Sequence, residues 1–228
     1  MLLFVSLAWA QDVTLTARVE LINSDKATKA HEAGNVVVWL VPAAGAVKPA
    51  AFHQTQAPRL VQHNKSFEPH ILVVPVGSVV AFPNRDPFFH NVFSLFEGKR
   101  FDLGLYEAGS TRDVHFDKPG ISYIFCNIHP EMSAVVIALE TPYYGISDPR
   151  GQVVIANVPS GKYTLRVWYE STPPETLKTM TREVTVSEAT STLGVLRLTE
   201  ATLSPPHKNL YGRDYDSPAP DSPAYDRQ

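Results

Sequence analysis

Phe125-Cys126-Asn127-Ile128-His129-Pro130-Glu131-Met132 gathers a thiol, an imidazole and a thioether just behind an aromatic, β-branched run. Its Cys is the chain's only one, its His one of eight, and its Met one of three, of which Met1 is the first residue. A single Cys can form no internal disulfide. Cys126 therefore pairs with another chain, fills a core as a small hydrophobe, or binds a metal. Taken singly, a buried thiol, a loop histidine and a core methionine are all ordinary. Their joint spacing, Cys-x2-His-x2-Met at the end of a strand, is not.

Upstream, Phe82-Pro83-Asn84-Arg85-Asp86-Pro87-Phe88-Phe89-His90-Asn91-Val92-Phe93-Ser94 is a second loop running into a strand, and it supplies His90. Two His, one Cys and a weak axial Met form the donor set of a blue-copper electron-transfer site. Thiolate and thioether suit the softer Cu(I), while imidazole serves both oxidation states, so the set rearranges little when an electron moves. Zinc could use Cys126 with the two imidazoles, but a thioether is a poor zinc ligand. His31, His53, His63, His70, His115 and His207 have no partner at ligand spacing and read as structural or solvated. Of Phe88 and Phe89, one is expected in the core and the other at the surface beside the metal loop.

Outward from these loops the pattern is β almost throughout. Strand candidates are Val13 to Val19, Asn35 to Val41, Arg59 to Asn64, Ile71 to Val76, Ser78 to Phe82, Asn91 to Phe96, Arg112 to Phe116, Ser122 to Phe125 and Ala134 to Leu139. Gln152 to Asn157, Lys162 to Tyr169, Thr181 to Ser187 and Thr192 to Leu198 follow. Lys118-Pro119-Gly120 and Asp148-Pro149-Arg150-Gly151 have turn chemistry. Helical periodicity is weak, with Glu97 to Leu105 the one stretch that tolerates it. Many short strands between turns predict sandwiches or barrels.

Residues 59–141 resemble the cupredoxin family, in particular its plastocyanin, amicyanin and pseudoazurin group. The likeness is carried by Phe67-Glu68-Pro69, Val76-Gly77, Phe82-Pro83-Asn84, His90-Asn91, Lys118-Pro119-Gly120-Ile121-Ser122-Tyr123 and the loop from Cys126 to Met132. The resemblance implies a Greek-key β-sandwich with one type 1 copper ion at one end, His90, Cys126 and His129 as equatorial ligands, and Met132 as the axial one. Many relatives place Pro between the Cys and the second His, where this chain has Ile128. A backbone N–H is thereby kept within reach of the thiolate, with the N–H of Asn91 a second candidate.

The last third resembles a carboxypeptidase-regulatory-like (transthyretin-like) β-sandwich, on Asp148-Pro149-Arg150-Gly151, Ile155-Ala156-Asn157-Val158-Pro159-Ser160-Gly161 and Lys162 to Trp168. Such modules begin with strands like Leu15 to Ile22 and Val36 to Leu40, which here precede the cupredoxin-like block. The expected plan is all-β and discontinuous. Residues 1–10 end a partial signal peptide, 11–45 open the second sandwich, 46–58 link, 59–141 form the copper domain, 142–200 complete the second sandwich, and 201–228 are a disordered tail. The signal reading rests on Ala8-Trp9-Ala10 before Gln11; the tail reading rests on its Ser, Pro, Asp and Tyr content.

The formal net charge is −3 and no dense basic run occurs, which argues against nucleic acid. No apolar stretch is long enough for a membrane span. The sequence lacks the His-x-His pairs of a multicopper oxidase, and no catalytic triad, phosphate loop or paired-carboxylate site stands out, so no enzyme is expected. The expected function is one-electron transfer outside the cytoplasm, in the periplasm or after secretion, with a redox partner protein. The alternatives are copper storage or delivery, and an exported β-sandwich scaffold with a metal-stabilised loop.

Overall fold

Period-two alternation, with one side chain in and the next out, shapes most of the chain. The strand Gln152–Val158, for example, buries Val153, Ile155 and Val158 and exposes Gln152, Val154, Ala156 and Asn157. The computed structural model describes residues 12–23, 33–43, 56–95, 98–200 and 208–215. The expected signal segment, the expected linker as far as residue 55, and residues 201–207 and 216–228 of the expected tail lie outside them.

The first strands are β1 (Val13–Asn23) and β2 (Val37–Pro42). Then come β3 (Val61–His63), β4 (Ser66–Glu68), β5 (Ile71–Pro75), β6 (Ser78–Pro83), β7 (His90–Ser94) and β8 (Phe101–Tyr106). β9 (Thr111–Phe116), β10 (Gly120–Cys126), β11 (Ser133–Leu139) and β12 (Tyr144–Ile146) follow. β13 (Gln152–Val158), β14 (Gly161–Trp168), α1 (Pro174–Thr179), β15 (Arg182–Val186) and β16 (Thr192–Glu200) complete the order. The described chain is all-β apart from that one short helix.

It divides into two compact units, Met1–His53 with Glu140–Ser204, and Gln54–Leu139 with Pro205–Gln228. In the first, a three-stranded sheet β13-β1-β16 and a four-stranded sheet β12-β2-β14-β15 enclose one core. Leu15, Val19, Val153, Ile155 and Leu196 come from the one sheet, and Val38, Leu40, Leu165 and Val167 from the other. β1 takes β13 antiparallel on one side and β16 parallel on the other.

The second unit has a five-stranded sheet β5-β11-β10-β7-β8 and the pairs β6-β9 and β3-β4. Short parallel bridges from Arg59 to Ala81 and from Gln62 to Asn84 lay the β3-β4 hairpin alongside β6. Leu60, Phe67, Val80, Phe82, Val92, Tyr106, Phe116, Ile124 and Val136 fill its core, and Cys126 and Met132 belong to the same cluster.

Two local readings need correction. Glu97 to Leu105 holds no helix among its described residues; Phe101–Tyr106 is β8, at the edge of the five-stranded sheet. Its alternation is faint because the pairing with β7 shifts register between Asn91 and Phe93 and Gly104 sits at a φ of 64°. The helix lies instead at Pro174–Thr179, where Pro occupies the first turn, Glu175 faces the N-terminal end of the helix dipole and Lys178 the C-terminal end. At six residues it is too short for periodicity to reveal.

Gly151 is a tightly constrained turn position of the first unit. Its φ is 76°, and a Cβ there would lie 2.4 Å from the Val19 carbonyl oxygen. Val19 N–H also donates to the Gly151 carbonyl at 2.7 Å, so the two backbones cannot separate without losing that bond. Gly151→Ala should lower stability by about 1–3 kcal/mol through strain at a left-handed residue. Urea unfolding followed by the fluorescence of buried Trp168 tests this; an unchanged midpoint would show that the turn relaxes freely.

Candidate metal centre

Strand register brings the donors together. β10 and β7 run antiparallel with Cys126 opposite Val92 and Phe125 opposite Phe93. Directly opposed residues share a face, and so do residues two apart on one strand. Cys126, Val92 and His90 therefore project into the same side of the sheet. The chain then turns between β10 and β11, and that turn carries His129 and Met132. Met132 N–H donates to the His129 carbonyl at 3.1 Å, and Cys126 N–H to the Met132 carbonyl at 3.3 Å, which folds the loop back on itself.

Sγ of Cys126 lies 3.7 Å from His90 Nδ1 and 3.6 Å from His129 Nδ1, and the two Nδ1 atoms are 3.2 Å apart. Metal–nitrogen and metal–sulfur bonds of about 2.0–2.3 Å, at tetrahedral to trigonal angles, set neighbouring donors about 3.3–3.7 Å apart. The triangle fits a metal ion of that size. Among the described residues, His90, Cys126 and His129 are grouped closely enough to hold a metal ion. Met132 is fully buried in the same core, at the end of the same loop. Of the other histidines, His63 and His115 are exposed, His70 meets the Ser133 carbonyl at 3.2 Å, and His31, His53 and His207 lie outside the described residues.

The electrostatics favour neutral imidazoles and a protected thiol. Burial pushes both imidazoles below the usual histidine range; at His90 the Asp86 carboxylate opposes it, and at His129 the neighbouring His90 adds to it. Burial raises the Cys126 thiol, while the backbone N–H groups of Ile128, Asn91 and His129 act in the opposite direction. Ile128 and Asn91, the two donors expected from the sequence, thus act on the thiol in the expected direction, and His129 adds to them.

Phe88 packs edge-on to His90, with ring centroids 5.2 Å apart, and tilted against His129 at 5.6 Å. It is half-buried, whereas Phe89 is exposed. His129 keeps 8 % of its surface exposed, against 0 % for His90, Cys126 and Met132.

Sequence reasoning missed two groups around the cluster. Asp86 Oδ2 lies 2.8 Å from His90 Nε2, and Asp86 is 4 % exposed. An acid four residues before a ligand histidine was the available signal. The second group is in the tail, where composition suggested disorder. Residues 208–215 instead form a compact turn: Asn209 Oδ1 accepts from the N–H groups of Tyr211 and Arg213, and Gly212 adopts a φ of 72°. That turn sits on the ligand loop. Tyr215 O–H donates to the Cys126 carbonyl at 2.7 Å, and Leu210 N–H to Asn127 Oδ1 at 2.8 Å. Local composition could not show this, because the stabilising contacts are to residues far away in sequence.

No protein-family model matches the chain, and no curated protein does. Solved structures similar to part of it include a purple cupredoxin from Nitrosopumilus maritimus, 22 % identical over 36 % of this chain and 99 % of that one, with a TM-score of 0.33. A copper-containing nitrite reductase (NirK) from Thermus scotoductus SA-01 is 22 % identical over 53 % of this chain and 28 % of its own, with a TM-score of 0.36. A reduced mutant form of amicyanin is 20 % identical over 44 % of this chain and 91 % of its own, with a TM-score of 0.34.

Proposed function

We propose that the second unit is a cupredoxin-type domain that binds one type 1 copper ion through His90, Cys126, His129 and Met132 and carries single electrons outside the cytoplasm. The observation that supports this most strongly is the convergence of one thiol and two Nδ1 atoms within 4.8 Å of one another, all three residues buried. Bound there, copper would supply one-electron redox chemistry. The protein's own groups do the rest. A neutral imidazole whose proton sits on Nε2 offers a bare Nδ1 and need lose no proton to act as a donor. The backbone N–H groups around Cys126 stabilise a thiolate in a dry core. Phe88 covers both imidazoles and keeps water from their faces.

His129 is the cluster residue with measurable exposure, so we assign it the position nearest a redox partner protein. Small, weak interfaces suit carriers that must separate after each transfer. The first unit is read as a transthyretin-like sandwich; its Asp148 accepts from Arg150 and Gln152 N–H at 2.9 and 2.8 Å and closes the turn before β13, which is structural chemistry. No nucleic acid is proposed as a partner. Among the described residues, no helix is long and apolar enough to cross a membrane.

Copper delivery is the second reading, favoured by the same donors. A delivery site gains nothing from a buried thiolate that slows release, which places electron transfer first. Visible and electron-paramagnetic-resonance spectra of the copper-loaded protein separate the two. An intense thiolate-to-copper band with a reversible one-electron couple supports the carrier, and a colourless Cu(I)-only site supports delivery. A chain that takes up no copper leaves only the scaffold.

Three substitutions sharpen the assignment. Cys126→Ser should abolish the visible band and weaken copper binding severely; a variant that keeps its colour removes Cys126 from the site. Met132→Gln puts a harder axial donor in place of the thioether. It should leave copper bound and lower the reduction potential, measured by voltammetry, and no change would place Met132 outside the coordination sphere. Ile128→Pro deletes an N–H that withdraws charge from sulfur and should also lower the potential. An unaltered couple would mean that the N–H groups of Asn91 and His129 suffice.

A further inference from the structure

The β3-β4 hairpin turns on Asn64 and Lys65, both at a φ of 53°. Two left-handed residues in a two-residue loop make a type I′ turn. Their consecutive N–H groups point the same way and form a small anion-binding concavity. The anion it holds is the side chain of Asp86: Asn64 N–H donates to Oδ1 at 2.6 Å and Lys65 N–H to Oδ2 at 3.0 Å. Oδ2 also lies 2.8 Å from His90 Nε2. Asp86 is fixed from its other end as well, since its own N–H donates to Asn84 Oδ1 at 3.0 Å, while Asn84 Nδ2 donates to the Phe88 carbonyl at 2.8 Å. The Gln62 carbonyl of β3 joins the hairpin to this loop by accepting Arg85 N–H at 2.9 Å.

A carboxylate that accepts backbone N–H bonds while nearly excluded from water is held ionised. Oδ1 accepts from Asn64 N–H, and Oδ2 from Lys65 N–H beside His90 Nε2, so both carboxylate oxygens already act as acceptors. An ionised acceptor at Nε2 places the imidazole proton there and leaves the lone pair on Nδ1, the atom that faces Cys126 and His129.

We propose that Asp86, held by the hairpin turn, is a positioning residue of the copper centre that fixes the His90 tautomer and biases the bound metal toward Cu(II). This rests on the copper reading above. A carboxylate behind a ligand imidazole makes it a stronger donor, and a stronger donor favours the more highly charged ion. The hairpin, whose residues are not in the donor cluster, thereby becomes part of the machinery that sets the potential.

The test compares the full copper-loaded chain with its Asp86→Asn variant, which keeps the shape and removes the charge. Loss of such an outer carboxylate typically costs about 10–100-fold in metal affinity. If Cu(II) affinity falls about tenfold more than Cu(I) affinity, the potential rises by about 59 mV, the value of a tenfold change for one electron. The visible band should persist. A folded variant with unchanged potential and unchanged Cu(II) affinity overturns the role of Asp86 while leaving the copper assignment intact. A wild-type chain that takes no copper overturns the assignment itself. Should the variant fail to fold, nitrogen-15 spectra of histidine in the wild-type metal-free protein decide the matter: His90 is expected protonated at Nε2 and bare at Nδ1, and the reverse tautomer overturns the proposal.

Discussion

Three donor atoms crowded together in an apolar core are an unfavourable arrangement for an isolated domain. Taking polar groups out of water costs free energy unless their hydrogen bonds are replaced, and two Nδ1 atoms 3.2 Å apart can share at most one proton between them. What holds them there is the antiparallel register of β10 against β7, which sets Cys126 opposite Val92. A slip by one residue would turn Cys126 to the other face of the sheet and disperse the cluster. Register is in turn held by burial: all five residues of β7 are buried, and β10 ends in three buried residues. The core of the second unit thus fixes the site before any metal arrives. A metal that binds only the assembled donors would add its binding free energy to folding.

The site was legible because its residue types are rare and its spacing local. One Cys, a His three residues on and a Met three beyond that lie on one turn, and nothing but strand pairing is needed to bring His90 across to them. What surrounds the site was less legible, for a physical reason. Asp86 gains its role from the hairpin turn at Asn64 and Lys65, which approaches it through tertiary structure. The spacing of Asp86 from His90 was the one local signal, and in a loop without helical periodicity that spacing does not by itself predict a contact. The same holds for the tail, where Tyr215 and Leu210 find their partners at Cys126 and Asn127.

Strands divided along similar lines. Those with one covered face and a clear alternation, such as β13 and β14, fell close to their expected bounds. β4 and β12, of three residues each, are too short to show a period, and β8 is an edge strand interrupted by a register shift. The helix α1 escaped for the same reason of length, although its Pro at the first turn and its oppositely charged ends were present in the sequence.

The surroundings of the donors also bear on how electrons and ligands would reach them. Phe88 lies against both imidazoles, and the β3-β4 hairpin extends that cover, with Lys65 Nζ 5.9 Å from the Phe88 centroid. The turn at residues 208–215 engages the loop at the carbonyl of Cys126 and the side chain of Asn127. Phe88 and the tail turn thus come from different parts of the chain and meet the cluster on its imidazoles and on its loop backbone respectively. The cluster is shielded from bulk water while its least buried member, His129, stays within reach of the surface. For the proposed carrier, a buried cluster with one imidazole at its margin would suit the passage of an electron better than the release of an ion, because an electron needs only proximity whereas an ion needs a path.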